Sequence, residues 1–442
     1  MSPFSFANIL AAKDRIASGV LVTPCPFSPA LSERYGCEIY CKLEFLHRTG
    51  SFKERGARNA LLQLDESRRK QGVIAASAGN HALALAAHGS QLGIPVTVVM
   101  PTYAPLVKQA NCRRLGATVL LHGASFGEAK AKADELAAAQ QLTYIHGYDD
   151  LAIIAGQGTI GLEVAEQVPN LDAIIVPIGG GGLIAGVATA VKNLKPNVQV
   201  VGVEPANSTC YTSALAAGKP VRVQSQPTLA DGLAVGIVGE NAFAIARDLV
   251  DHVVTVSEYD LALAVVRLME LEKTVVEGAG AAPLAALLSS RHTPCAVDPQ
   301  GASGSGEPPA RGGRGGSSGQ VENLSYDLAG KRVVLVLAGG NIDLTILSRL
   351  IETALVADGR LVRFTAVISD RPGGLARLTS VIAEAGASVK EITHDRTFSG
   401  PNVAAVNVLC TVETRDQEHI AALYQKLTAA GIRHFAHVGA KE

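Results

Sequence analysis

From about residue 38 to residue 290, short β-branched runs alternate with Ala-rich segments of helical character, and this alternation constrains the fold more than any other feature. Val73–Ala76, Val96–Met100, Thr118–Leu121, Ala173–Ile178 and Val198–Val203 read as strands. Asn80–Leu92, Glu128–Gln140, Gly158–Val168 and Ile184–Leu194 read as helices. The pattern predicts an α/β fold with a mainly parallel sheet covered by helices on both faces. In such folds ligands collect at the carboxyl edge of the sheet, where strands give way to helices.

A chain of 442 residues is too long for one ordinary domain, and two or three are expected. Residues 292–325 interrupt the pattern: PQGASGSGEPPARGGRGGSSGQ has no apolar periodicity and reads as a flexible surface insertion, a gene-model error being the second account. Lys331–Leu337 (KRVVLVL) then reads as another buried strand of the first sheet. From residue 361 the texture changes to a βαββαβ order, a small α+β domain of about 80 residues.

Basic and acidic residues nearly cancel, for a formal charge of -1, so neither nucleic acid nor an anionic membrane is favoured as a partner. No stretch approaches the roughly 20 apolar residues of a membrane span. The first residues, MSPFSFANILAAKDRIASG, lack a basic start and apolar run and read as a short amphipathic helix, not a signal peptide. Seven cysteines, at 25, 37, 41, 112, 210, 295 and 410, form no C-x-x-C pair and read as reduced thiols of a cytoplasmic protein. The eleven histidines and the cysteines show no ligand spacing, so no metal is expected.

Three motifs carry chemistry. The first is Gly179-Gly180-Gly181-Gly182, followed by Leu183, between a strand and a helix. Consecutive glycines let backbone N–H groups converge on an anion, and the helix N-terminus adds partial positive charge. A phosphate fits, but Gly180-x-Gly182-x-x-Ala185 also fits a dinucleotide fingerprint, with Glu204 placed as the ribose-binding acid. The second motif, Thr49–Ala57 (TGSFKERGA), sets Lys53 behind Phe52 at the start of a helix read over Ala57–Leu64. A lysine in partly desolvated surroundings can act as a nucleophile near neutral pH. The third is Ser77-Ala78-Gly79-Asn80-His81 at a strand-to-helix junction, where small residues leave N–H groups free for a carboxylate. Asn80 can donate and accept, whereas His81 by itself reads as a packed or solvent-facing side chain at a helix cap.

Together with AGQGTIGLE (155–163), ADGLAVG (230–236), EGAGA (277–281) and GGNID (339–343), these motifs resemble the fold type II pyridoxal-phosphate enzymes, most closely the threonine/serine dehydratases. The resemblance spans about residues 8–345 and implies two parallel-sheet α/β subdomains. It favours the phosphate reading of the glycine loop. It also implies that Lys53 carries the cofactor as a Schiff base and takes the substrate α-proton, that Phe52 packs on the cofactor ring, and that Asn80 bonds its 3'-oxygen. Gly179–Leu183 would hold the phosphate, Ser77 to His81 the substrate carboxylate, and Gly232 and Glu277 the pocket wall. The substrate would be a small hydroxy amino acid, losing water and then ammonia. Serine racemases, also similar, carry a serine where this chain has Ala78, which has no proton to exchange; dehydration is therefore expected over racemisation. A β-replacing synthase is a further alternative, an NAD-dependent dehydrogenase or a non-catalytic sensor more distant ones.

Two positions depart from the family pattern. Ala338 stands where a Ser or Cys usually partners the pyridine nitrogen, and Cys210 stands six residues after Glu204, where some relatives have a metal-binding acid. Residues 361–442, with Asp370-Arg371-Pro372-Gly373-Gly374-Leu375, resemble an ACT domain. That likeness implies pairing, hence a homo-oligomer (dimer or tetramer), and an amino-acid effector.

Overall fold

The computed structural model describes residues 4–289, 328–395 and 405–437. The segment at 292–325, with Cys295, lies outside the described residues. The chain divides into two units, 1–342 and 343–442.

Unit one contains two parallel sheets, not the one that alternation alone predicts. Its strands are β1 (Glu38–Lys42), β2 (Val73–Ala76), β3 (Val96–Met100), β4 (Thr118–Leu121), β5 (Thr143–Tyr144), β6 (Ala173–Pro177), β7 (Gln199–Pro205), β8 (His252–Val256) and β9 (Arg332–Val336). One sheet has the order β4-β3-β2-β5 and the other β1-β9-β6-β7-β8. Periodicity reports that a strand is buried on both faces; it does not report which sheet the strand joins. The KRVVLVL strand takes its place in the larger sheet, parallel to β1 on one side and β6 on the other.

Around these sheets, glycines let neighbouring helices approach one another closely. The Lys53–Leu62 helix crosses Leu151–Gln167 so closely that a Cβ on Gly156 would stand 2.6 Å from Gly56 Cα. Where Leu151–Gln167 meets Gly182–Leu194, a Cβ on Gly186 would stand 2.6 Å from Gly158 N. Several helices begin earlier than periodicity suggests because a polar cap starts them: Asp150 accepts from Ala152 N at 2.7 Å and opens the helix at Leu151. Ser125 accepts from Glu128 N at 3.2 Å and opens the next at Phe126. The amphipathic segment near the start is a helix over Phe6–Ile16, burying Ile9, Ala12 and Ile16.

Unit two is an antiparallel sheet in the order β11-β12-β10-β13, formed by Leu361–Ser369 (β10), Ser388–Asp395 (β11), Ala405–Glu413 (β12) and Arg433–His437 (β13). Leu378, Ile382, Leu423 and Leu427, from helices Gly374–Glu384 and Gln417–Ala429, pack on Phe364, Ala366, Val408 and Cys410. The βαββαβ order is as read from the sequence, but a helix over Leu344–Ala357, capped by Asp343, precedes it. Among the described residues no helix is long and apolar enough to cross a membrane.

Candidate active site

Four segments of the site leave parallel strands of unit one at their carboxyl ends, and Lys53 opens a helix of the same unit. Residues 77–81 follow β2, 146–148 follow β5, 178–182 follow β6 and 338–341 follow β9. Ser77, Asn80, Gly147, Tyr148, Gly179, Phe52 and Lys53 are half-buried, whereas strands β2 and β6 are wholly buried.

Lys53 opens its helix, and its Nζ donates to the Gly147 carbonyl at 2.7 Å. Burial lowers its pKa to about 8, against an opposing pull from the charge of Glu277. The loop that presents it is fastened to the end of β9: Phe52 N donates to Ala338 O at 3.0 Å, and Gly340 N to Gly50 O at 2.9 Å. Behind it, Arg55 is wholly buried between two carboxylates. Its Nε donates to Glu44 Oε2 at 2.8 Å and its Nη1 to Glu163 Oε1 at 2.6 Å. Lys42 Nζ donates to Glu163 Oε2 at 2.5 Å, so two buried cations meet two buried anions.

The glycine motif has the geometry of an anion cradle. Gly181, at φ +89°, caps the Gly182–Leu194 helix, leaving its first N–H groups unspent by any side chain. A Cβ on Gly180 would run into the Tyr148 ring, and one on Gly182 into the Tyr148 carbonyl. A Cβ on Gly179 would lie 3.2 Å from the carbonyl of Gly232. Lysine and cradle are thus tied to consecutive residues, Gly147 and Tyr148.

On the third side, Asn80 Nδ2 donates to Glu277 Oε1 at 2.7 Å. Burial, seconded by Asp231, pushes the Glu277 carboxyl up to about 7. Ser77 Oγ accepts from Gly79 N at 3.3 Å, closing the turn before the helix, and Ala78 packs against the adjoining core. The His81 ring is buried, donates from Nε2 to Ile145 O at 3.1 Å, and is held neutral down to about pH 3 by burial and by Lys53. Of the packed and solvent-facing placements that its own reading allowed, it takes the packed one.

Glu204 does not serve as a ribose-binding acid. Its carboxylate caps the Cys210–Ala217 helix, accepting from Tyr211 N at 2.6 Å, Thr212 N at 2.9 Å and Thr212 Oγ1 at 2.6 Å. Among the described residues no group of three or more His, Cys, Asp or Glu is arranged to hold a metal. Sequence reasoning missed Gly147 and Tyr148, whose only sign was the turn-like HGYDD after a short strand, and it left Asn341 without a role.

An amine of lowered pKa beside a glycine loop at a helix N-terminus, with an amide donor across from it, is the arrangement that the resemblance to pyridoxal-phosphate enzymes implies. A family model described as pyridoxal-phosphate dependent enzyme matches residues 16–294, and an ACT domain model matches residues 363–429. The L-threonine ammonia-lyase of Geobacter sulfurreducens is 43% identical over 431 residues, 98% of each chain. That of Thermotoga maritima is 39% identical over 424 residues, 96% of this chain and 97% of the relative. The processed form of threonine deaminase isoform 2 from Solanum lycopersicum superposes with a TM-score of 0.68 at 34% identity, covering 79% of this chain and 92% of that one. The chain belongs to the pyridoxal-phosphate dependent enzymes, in their threonine ammonia-lyase family with a C-terminal ACT domain.

The cofactor of this family is pyridoxal phosphate, and the pocket fits it. The glycine loop ends at a helix N-terminus that no side chain caps, a place suited to a phosphate; burial lowers the Lys53 pKa to about 8, and Asn80 carries an N–H donor.

Proposed function

We propose that the chain converts L-threonine to 2-oxobutanoate and ammonia, and L-serine to pyruvate and ammonia. The placement of Lys53 on Gly147, beside the Tyr148 that lies on the glycine cradle, carries this reading. Near-full-length identity to L-threonine ammonia-lyases supports it.

When bound, pyridoxal phosphate supplies an electron sink for charge developing at the substrate α-carbon. With the cofactor bound, the residues would take the following roles. Backbone N–H groups of Gly179, Gly180, Gly181, Gly182 and Leu183 hold the phosphate, and Phe52 packs on the ring. Lys53 is the attachment point, and its Nζ, once neutral, takes the α-proton. Asn80 donates to the 3'-oxygen, while the turn Ser77-Ala78-Gly79 and the helix start at His81 receive the substrate carboxylate. Glu277 and Gly232 border the pocket. Ala338 offers the ring nitrogen no side-chain partner, which elimination tolerates. Ala78 has no proton to give, so a racemase lacks its second base.

The domain division we adopt is 8–345 for catalysis and 361–442 for an ACT-like regulatory module. That module is proposed to pair with a second copy, giving a dimer or tetramer, and to take an amino-acid effector. We place the protein in the cytoplasm, in keeping with its dispersed cysteines, which form no C-x-x-C pair. Neither nucleic acid nor a membrane is proposed as partner.

The test is an absorbance spectrum with pyridoxal phosphate, before and after borohydride, followed by assay of 2-oxo acid from threonine and serine. A visible band trapped on Lys53 with release of 2-oxo acid is the expected result. A protein that stays colourless, or a coloured one that releases no 2-oxo acid, refutes the activity.

A further inference from the structure

A backbone carbonyl can only accept a hydrogen bond, and that fixes the direction of a chain of amides at the site. Asn341 Nδ2 lies 2.7 Å from the carbonyl oxygen of Thr49, so the nitrogen, not the oxygen, must face it. The second hydrogen of the same Nδ2 goes to Asn80 Oδ1 at 2.8 Å. With Oδ1 occupied, Asn80 turns its Nδ2 to Glu277, 2.7 Å away. The flip of Asn80 is thereby decided by a residue 261 positions further along the chain.

Two glycines make room for this chain. A Cβ on Gly50, whose φ is +76°, would lie 2.5 Å from Asn341 Oδ1. A Cβ on Gly339 would collide with Glu277 Oε1 and lie 3.3 Å from Asn80 Nδ2. Fastening the two loops does not require Asn341, because the backbone bonds Phe52 to Ala338 and Gly340 to Gly50 already do so.

We propose that Asn341 is a positioning residue: it locks the Asn80 amide in the flip that turns N–H donors, not the carbonyl oxygen, toward Glu277 and the cofactor oxygen. This rests on the role given to Asn80 in the proposed function. Without Asn341 the amide is free to rotate, and an oxygen then meets the acceptor that a donor should meet, an unmade bond in a desolvated site.

The experiment compares wild-type holoenzyme with Asn341→Asp, which keeps the shape but as a carboxylate cannot donate, and with Asn341→Ser, which removes the reach to Asn80. Readouts are the pyridoxal-phosphate dissociation constant by absorbance titration, the pH midpoint of the visible band, and kcat and KM for threonine. The expected result is cofactor affinity weakened by about tenfold or more, a displaced pH midpoint, and a fall in kcat larger than any change in KM. If Asn341→Asp does not fold, Asn341→Ser carries the same expectation. A variant that only melts earlier, with wild-type affinity, band midpoint and kcat, would overturn the positioning role while leaving the proposed function intact. A wild-type protein with no borohydride-trapped band would overturn both.

Discussion

The Lys53 amine reacts only when it has lost its proton, and burial brings that loss down from 10.5 to about 8. The sign is direct: a lowered pKa enlarges the neutral, nucleophilic fraction at any pH below the ordinary lysine range. Stopped-flow mixing of apoenzyme with pyridoxal phosphate is expected to give a rate that rises with pH and reaches half its plateau near 8. Glu277 opposes the shift, so Glu277→Gln is expected to move that midpoint lower; a midpoint unmoved or raised would contradict the coupling. Arg55 supplies a prediction on stability. Arg55→Met leaves buried Glu163 with Lys42 and buried Glu44 with His47, and is expected to cost about 3–5 kcal/mol in urea unfolding of the apoenzyme. At this scale the sequence displayed the residues with rare neighbours, such as Lys53 behind Phe52 and the run Gly179–Gly182. It did not display their partners. The acceptor for Lys53 is a backbone carbonyl, at Gly147, which any residue could supply. Asn341 reaches Asn80 across 261 positions, and the run GGNID that contains it carries no mark of such a contact.

Helices in unit one approach closely because glycines remove the side chains between them, and this makes small enlargements costly. Gly186→Ala would set a methyl against the backbone of Gly158 and Ile154, in a crossing with no slack. Overpacking of about 1–3 kcal/mol is expected, read as a lower midpoint in denaturant with an unchanged slope. Elements with an apolar run or a strong amphipathic stripe were legible, and Asn80–Leu92 has the limits its sequence suggested. Caps were harder to place, because the Asp150 carboxylate starts its helix at Leu151, before a run that reads as helical only from Gly158. Glu204 shows the converse difficulty. An acid at the end of a strand looks like a ligand until the helix start that it caps is placed beside it.

The two units have separate cores: distinct clusters on the parallel sheets in the first, and one around Phe364, Leu378, Val408 and Leu423 in the second. All residues assigned to cofactor and substrate lie within 1–342, so a chain ending at Ile342 is expected to keep the visible band and the release of 2-oxo acid. Effector dependence should vanish from it. A panel of amino acids that shifts the kinetics of the full chain and the shortened chain alike would place regulation elsewhere than in the second unit. The position of β9 has a consequence for how the molecule comes into being. β9 is the last strand of unit one in the chain, yet it lies between β1 and β6, and the loop after it fastens the loop bearing Lys53. During synthesis β1 therefore waits, unpaired on that side, while nearly three hundred residues emerge (the first pair joins Glu38 to Arg332). Closure over that separation is slow, and exposed strand edges invite association with other chains while it lasts. Nascent chains arrested before Arg332 has left the ribosome should neither take up pyridoxal phosphate nor escape chaperones.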